Sequence, residues 1–262
     1  MNYCFVIRDD NESKEIRNLL TEKIKHNIND KNPNFVIAIG GDGTIIKASH
    51  KYPDATIFGI HTGHLGHYAN YSVEDVDILA DDINNGTYKI QMLDLLSAEF
   101  VTKSGRIVND YALNEVTIVS PLRTLILDVT IDDEFLERYR GTGLCISTPS
   151  GSTAYNKSLH GSIIDYNLKA MQLTEIASIN STAYKTLSSP IVLSYDRRIK
   201  LEMADGIEAP KDVFITVDHI SYSINDLKTL YIFYNNKHLK MAYHKPEEFI
   251  KRITRSFLVS KK

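Results

Sequence analysis

The sequence predicts an α/β amino-terminal domain on a parallel sheet, followed by a mostly antiparallel β domain. Three observations predict it. In the first third, short apolar runs alternate with stretches of helical periodicity, the rhythm of βαβ units. From about Leu93, strand-like runs separated by turn clusters replace that rhythm, and several of them alternate in polarity. A last segment, Pro246 to Phe257, returns to helical spacing. With 262 residues the chain suits one large domain or two modest ones. The change of rhythm divides it into residues 1–93 and 94–245, with a helix over 246–262 packing back on the first part.

The elements follow in order. Tyr3 to Ile7, Phe35 to Ile39 and Thr56 to Ile60 are apolar runs of the kind that form buried parallel strands. Ser13 to Lys25 carries Ile16, Leu19, Leu20 and Ile24 at helical spacing, with Ser13 as a candidate N-cap. Thr44 to His50 reads as a helix starting directly after Gly40-Gly41-Asp42-Gly43. Ser72 to Asn84 reads as another, with Val76, Leu79, Ala80 and Ile83 on one face and a stop near Asn85-Gly86. In the second part the strand-like runs are Ala98–Val101, Leu125–Ile131, Ile199–Met203, Phe214–Val217 and Thr229–Tyr234. Asp132-Asp133 and Asn235-Asn236 are the turn clusters between such runs. Ala170 to Ala177 interrupts them with helical composition. In the final helix Phe249, Ile250, Ile253 and Phe257 share one face.

Composition excludes several classes. Hydrophobic residues at 43% and charged residues at 24% describe a globular protein with a core, not a disordered chain. A net charge of -3 gives no electrostatic case for nucleic acid or an anionic membrane as partner. Cys4 and Cys145 lie in apolar runs and read as buried thiols, not as a disulfide framework or a zinc site. Met1 to Asp10 lacks the features of a secretory signal, and no run approaches the roughly 18 apolar residues of a membrane helix. A cytosolic location is expected.

The strongest local feature is Phe35 to Thr44, FVIAIGGDGT. A strand enters a glycine turn carrying one carboxylate, and a helix follows. Glycines let main chain approach a ligand, and free N–H groups at a helix start favour phosphate. Asp42 in such a turn is placed to accept the proton of a hydroxyl attacking a phosphoryl group. Read alone, the turn equally admits an Asp that merely caps the helix. Neither the Gly-Lys-Ser/Thr of a Walker A loop nor the G-x-G-x-x-G spacing is present, which excludes a P-loop lysine as phosphate holder.

Two further constellations carry polar chemistry. Asn114-Glu115 interrupts apolar neighbours; at a strand end both side chains can reach one ligand, and Glu115 can accept from two ribose hydroxyls, although read alone an exposed Asn-Glu pair is more often ordinary surface. Gly141 to Asn156 runs from a short apolar strand into Ser147-Thr148-Pro149-Ser150-Gly151-Ser152-Thr153, whose hydroxyls and N–H groups suit phosphate oxygens, with Tyr155 available to an aromatic base. The histidines His61, His64 and His67 have a spacing that converges on a helix, but Gly63 and Gly66 between them argue for a loop, so no metal site is expected.

The glycine turn resembles that of a wide kinase superfamily that includes NAD kinases, diacylglycerol-type lipid kinases and 6-phosphofructokinases. GGDGT, HTGHLG, NE and STPSGSTAYN together, in this order and spacing, resemble the NAD kinases over nearly the whole chain, most closely those of Gram-positive bacteria. The resemblance implies an NAD kinase-like two-domain architecture with a Rossmann-like parallel sheet, and NAD bound between the domains. It makes Asp42 the general base and Gly43 its ligand-facing neighbour, and gives Asn114 and Glu115 the ribose and nicotinamide-side contacts. Ser150, Thr153, Ala154, Tyr155 and Ser158 match the loop that wraps the dinucleotide, and Arg140 a basic binding position. Thr142 belongs to the same binding set. Ala177, Ile179 and Tyr184 match a segment that reaches the site of a neighbouring subunit, and His219 a site-facing histidine. A homotetramer with shared sites is implied, as are ATP or polyphosphate as donor and Mg2+ carried with the nucleotide.

Three positions depart from the family pattern. Thr142 stands where many members have Asp, His160-Gly161 replaces a Gly-Gly pair, and His67 replaces an aromatic residue. The competing readings are a kinase of the same superfamily acting on another hydroxyl, and an NAD(P)-binding sensor weak in catalysis.

Overall fold

The computed structural model describes residues 1–63, 66–206, 210–224 and 226–258. The chain divides into two compact units, Met1–Leu93 with His238–Lys262, and Asp94–Lys237.

The first unit opens with strand β1 (Asn2–Ile7), helix α1 (Asn11–Lys23), the short β2 (Asn27–Ile28), β3 (Phe35–Gly40), helix α2 (Asp42–Lys51), β4 (Thr56–His61) and helix α3 (Val76–Asn85). The strands lie parallel in the order β2-β1-β3-β4. β3 is buried along its whole length, as a central parallel strand must be, which explains its unbroken apolar run. Ile16 and Leu20 of α1 and Leu79, Ala80 and Ile83 of α3 join Phe35, Ile37, Phe58 and Ile60 in one core. Helix α1 starts two residues earlier than its periodicity suggests. Its cap is Asp10, whose carboxylate accepts the Ser13 N–H at 2.8 Å, and Ser13 itself is buried within the first turn. A turn of 3-10 helix at Val73–Asp75, closed by a Ser72–Asp75 capping box, precedes α3.

The second unit contains β5 (Lys89–Thr102, whose first residues belong to the first unit), β6 (Ile107–Ala112), β7 (Glu115–Val119), β8 (Leu125–Ile131), β9 (Glu134–Gly141) and β10 (Gly143–Ser147). A 3-10 turn at Ser150–Thr153 and the one-turn helix α4 (Tyr155–Ser158) follow. The remainder is β11 (Ala170–Ile176), β12 (Ile191–Ser194), β13 (Ile199–Met203), β14 (Phe214–Val217), β15 (Ile220–Ser223) and β16 (Leu227–Tyr243). One sheet has the order β12-β11-β10-β7-β14-β15, antiparallel throughout. β16, β13, β8 and β9 are likewise antiparallel neighbours. Side chains from both sets, among them Val116, Ile118, Leu144, Ile146, Leu127, Val129, Leu201 and Leu230, form a single core.

Three expectations are corrected here. Ala170 to Ile176 is strand β11, because its helix-forming residues are held between β10 and β12, and burial on both faces outweighs local propensity. Asn235-Asn236 is not a turn but lies inside β16, with Asn236 at φ +62 close to where that strand leaves the second unit. Strand β16 then pairs parallel with β4 through Lys240 and Met241, extending the sheet of the first unit. The chain ends in helix α5 (Phe249–Ile253) and a π-helical turn over Thr254–Leu258. The third correction concerns its inward face: Ile250 and Phe257 are exposed, and the buried side chain is Arg252. No helix among the described residues is long and apolar enough to cross a membrane.

Candidate active site

In the first unit the parallel register aligns Ile7 with Ile39 and Gly40 with His61, so β1, β3 and β4 end together. Ligands of open α/β sheets bind outside this carboxyl edge. Gly40 adopts φ +152, and a Cβ there would lie 2.4 Å from the Thr44 hydroxyl. Only glycine fits between the strand end and the helix. Asp42 is the first residue of α2. Its carboxylate turns away from a capping role and accepts the N–H groups of His67, at 2.7 Å, and Tyr68, at 2.9 Å. The loop approaches so closely that a Cβ on Gly66 would lie 2.2 Å from Asp42 Oδ1. On the other side, a Cβ on Gly43 would meet nothing within 4 Å, so the turn is open there. Arg8 stands at the same edge and donates to the Thr62 carbonyl at 3.3 Å. Burial pushes the imidazoles of His61 and His67 towards the neutral form, with the Asp42 charge opposing this at His67. His64 lies outside the described residues, and among those described no three His, Cys, Asp or Glu side chains gather as metal ligands.

In the second unit Glu115 begins β7 opposite Ser147 of β10. It is only 9% exposed, and its Oε2 has no hydrogen-bond partner. Burial first, and the nearby Asp218 second, push its carboxyl up to about 8, with the Tyr155 main chain pulling the other way. The same burial pushes the Cys145 thiol up. Asp218, at φ +52 in the turn between β14 and β15, accepts the N–H groups of Leu113 at 2.8 Å, Asn114 at 2.7 Å and Glu115 at 3.3 Å. His219 follows it and is exposed.

The hydroxyl run divides into two sets. Ser147, Thr148 and Ser152 are fully buried. Thr148 donates to the Leu113 carbonyl at 2.6 Å, and Ser152 to Pro149 at 2.6 Å while accepting the Ile164 N–H at 2.9 Å. These two hydroxyls build the loop. Ser150, Thr153, Ala154, Tyr155 and Ser158 stay accessible to solvent around it.

The fold gathers Arg140, Ala177, Ile179 and Tyr184. The Arg140 guanidinium lies 4.1 Å from the centre of the Tyr184 ring, and its carbonyl accepts the Ile179 N–H at 2.8 Å. Ala177 takes φ +48 beside Gly141, and Thr142 donates its N–H to Ile176. His160 occupies the left-handed region at φ +61, the conformation a glycine would adopt more readily.

The sequence reading missed two residues. Asp218 had a signal, a carboxylate in the turn directly before His219. Arg252 shares the i, i+3, i+4, i+7 face of Phe249, Ile253 and Ser256, the face that is least exposed in the structure.

The ATP-NAD kinase N-terminal domain model matches residues 6–88, and the ATP-NAD kinase C-terminal domain model residues 113–231. The chain belongs to the NAD kinase family. An NAD kinase from Staphylococcus aureus (strain JH9) is 35% identical over 271 aligned residues, covering 99% of this chain and 98% of that protein. The fold of this NAD kinase family member is similar to that of yeast NADH kinase complexed with NADH, with a TM-score of 0.84 at 18% identity over 100% of this chain and 89% of the other. It is also similar to an NAD kinase from Archaeoglobus fulgidus in complex with ATP, with a TM-score of 0.74 at 21% identity over 97% and 99%.

Proposed function

We propose that this NAD kinase family member transfers the terminal phosphoryl group of ATP, or of polyphosphate, to the 2′-hydroxyl of the adenosine ribose of NAD, giving NADP. The observation that carries the reading is the Asp42 carboxylate, set at the start of α2 by a turn that requires Gly40 and held by two loop amides. A carboxylate so oriented takes the 2′-hydroxyl proton as the oxygen attacks phosphorus, a role typically worth about 100- to 10,000-fold in rate. Asn114 and Glu115 hold the ribose and nicotinamide side. Ser150, Thr153, Ala154, Tyr155 and Ser158 wrap the dinucleotide, with Gly43, Arg140, Thr142 and His219 completing the binding set. Mg2+ enters with ATP and neutralises the phosphate charge. The free N–H groups at the start of α2 favour the donor phosphates.

The enzyme works in the cytoplasm as a homotetramer in which Ala177, Ile179 and Tyr184 serve the site of a neighbouring subunit. Ile179 and Tyr184 are exposed in the single chain, which supports a partner for them. The test is NADP formation from NAD, ATP and Mg2+ by wild type and Asp42→Asn. Product that collapses in the folded variant supports both the reaction and its base. A wild type that binds NADP tightly but forms no product, with polyphosphate as well as ATP, sends the reading to a sensor. Sedimentation as a monomer at assay concentration removes the shared site.

A further inference from the structure

We infer that Arg252, on the carboxy-terminal helix, is a positioning residue for the Asp42 carboxylate. The inference rests on the proposed role of Asp42 as general base.

The connection runs through one residue of the loop. The His67 N–H donates to Asp42 Oδ2 at 2.7 Å, and the His67 carbonyl accepts Arg252 Nη1 at 2.5 Å. The other arm of the guanidinium donates to Asn70 Oδ1 at 3.1 Å, and Asn70 in turn donates to the Ala242 carbonyl at 3.2 Å. Arg255 reaches the Gly66 carbonyl at 3.4 Å, the Ser256 hydroxyl lies 3.2 Å from His67 Nδ1, and the Phe257 ring centre lies 5.5 Å from that of His67. The helix thus grips three loop residues, Gly66, His67 and Asn70, that bracket or include the amides holding the carboxylate.

The sequence of the helix fits this task better than ordinary docking. Arg252 is 7% exposed, while Ile250 beside it is 69% exposed. A helix that merely covered a core would bury the isoleucine and expose the arginine, because a buried guanidinium carries a large desolvation cost unless it is paired and hydrogen-bonded. Here Glu247 compensates the charge, 3.4 Å from Arg252 Nε and 2.7 Å from Arg255 Nη1. The planar guanidinium directs two donors at once, one to the main chain and one to Asn70, a geometry an ammonium group does not reproduce. Loss of this grip frees the peptide that joins His67 to Tyr68, and with it the Tyr68 N–H, one of the two amides that orient Asp42. A misplacement of about 1 Å at a reacting group costs on the order of 100-fold in rate.

The test is a double-mutant cycle on kcat for NADP formation from NAD and MgATP, with wild type, Asp42→Asn, Arg252→Gln and the double variant. Arg252→Gln is expected to lower kcat about 10- to 100-fold while KM for NAD changes less than about twofold. In the Asp42→Asn background the same substitution is expected to lower the residual rate by less than about twofold, because its effect passes through the missing carboxylate. Arg252→Lys is expected to restore little. Ile250→Ala, an exposed change on the same helix, is expected to leave kcat unaltered. If Arg252→Gln fails to fold, Arg255→Gln carries the same cycle with an expected loss of a few-fold.

Equal losses in both backgrounds, or an unchanged kcat in the folded arginine variant while Asp42→Asn is inactive, overturn the inference and leave the base assignment standing. Full turnover by Asp42→Asn overturns the base assignment itself.

Discussion

The Asp218 carboxylate accepts the main-chain N–H of Asn114 at 2.7 Å, joining the turn after β14 to the residue that introduces β7. The same carboxylate serves Leu113 and Glu115, so one side chain fixes three successive peptides. Charge-assisted bonds of this kind are stronger than neutral ones. Asp218→Asn keeps the shape but loses the charge and presents an N–H2 where an acceptor is needed. We expect a stability loss of about 1–3 kcal/mol by urea unfolding and a rise in KM for NAD. An unchanged midpoint and KM would show that the three amides find other partners at no cost.

Glu115 makes stability depend on pH. Its folded carboxyl titrates near 8 against an ordinary value of 4.5. Between these two values the folded state keeps a proton that the unfolded state has released, so stability falls as pH rises from about 4.5 to about 8 and then levels off. Glu115→Gln removes the ionisation. Its advantage over wild type is expected to be largest at pH 8 and to shrink towards pH 5. Melting temperatures of the two proteins that run parallel across that range would refute the buried-carboxyl account.

Gly66 backs onto Asp42 so closely that a methyl group there would lie 2.2 Å from the carboxylate oxygen. Gly66→Ala therefore has to displace either the loop or the Asp42 carboxylate. We expect kcat to fall about 10-fold or more, with KM for NAD little changed. A variant with wild-type kcat would mean that Asp42 need not stay under this loop during turnover.

His160 at φ +61 is held in a conformation that side chains with a Cβ adopt at a cost. His160→Gly is expected to stabilise the protein by about 1 kcal/mol, seen as a higher urea midpoint with the same slope. A lower midpoint would show that the imidazole contributes more than its backbone costs.

Much of the fold was legible because burial leaves period-dependent marks. The unbroken apolar runs Phe35–Ile39 and Thr56–Ile60, each followed by a glycine-containing turn, read as buried parallel strands, and Leu125–Ile131 and Phe214–Val217 kept strand patterns that matched their place in antiparallel sheets. Ala170–Ile176 was not legible. Its composition favours a helix, and only the partners β10 and β12 make it a strand. The cap of α1 was misplaced because Asp10 and Ser13 are equally good cap residues locally, and the entry angle of the chain decides between them.

At the candidate site the residue types were readable where the main chain itself sets the geometry. The glycine turn, Asp42, the Asn114-Glu115 pair and the hydroxyl run all lie in contiguous segments, so short-range chemistry marks them. The sequence alone also separated this chain from P-loop and dinucleotide-fingerprint proteins, and its motif order pointed to the family. Tertiary structure decided what distant segments do to those groups. Asp218 stands 104 positions from Asn114, and Arg252 stands 185 from His67. No periodicity encodes such a meeting, because a hydrogen bond depends on where two chain segments arrive in space and not on the pattern within either one.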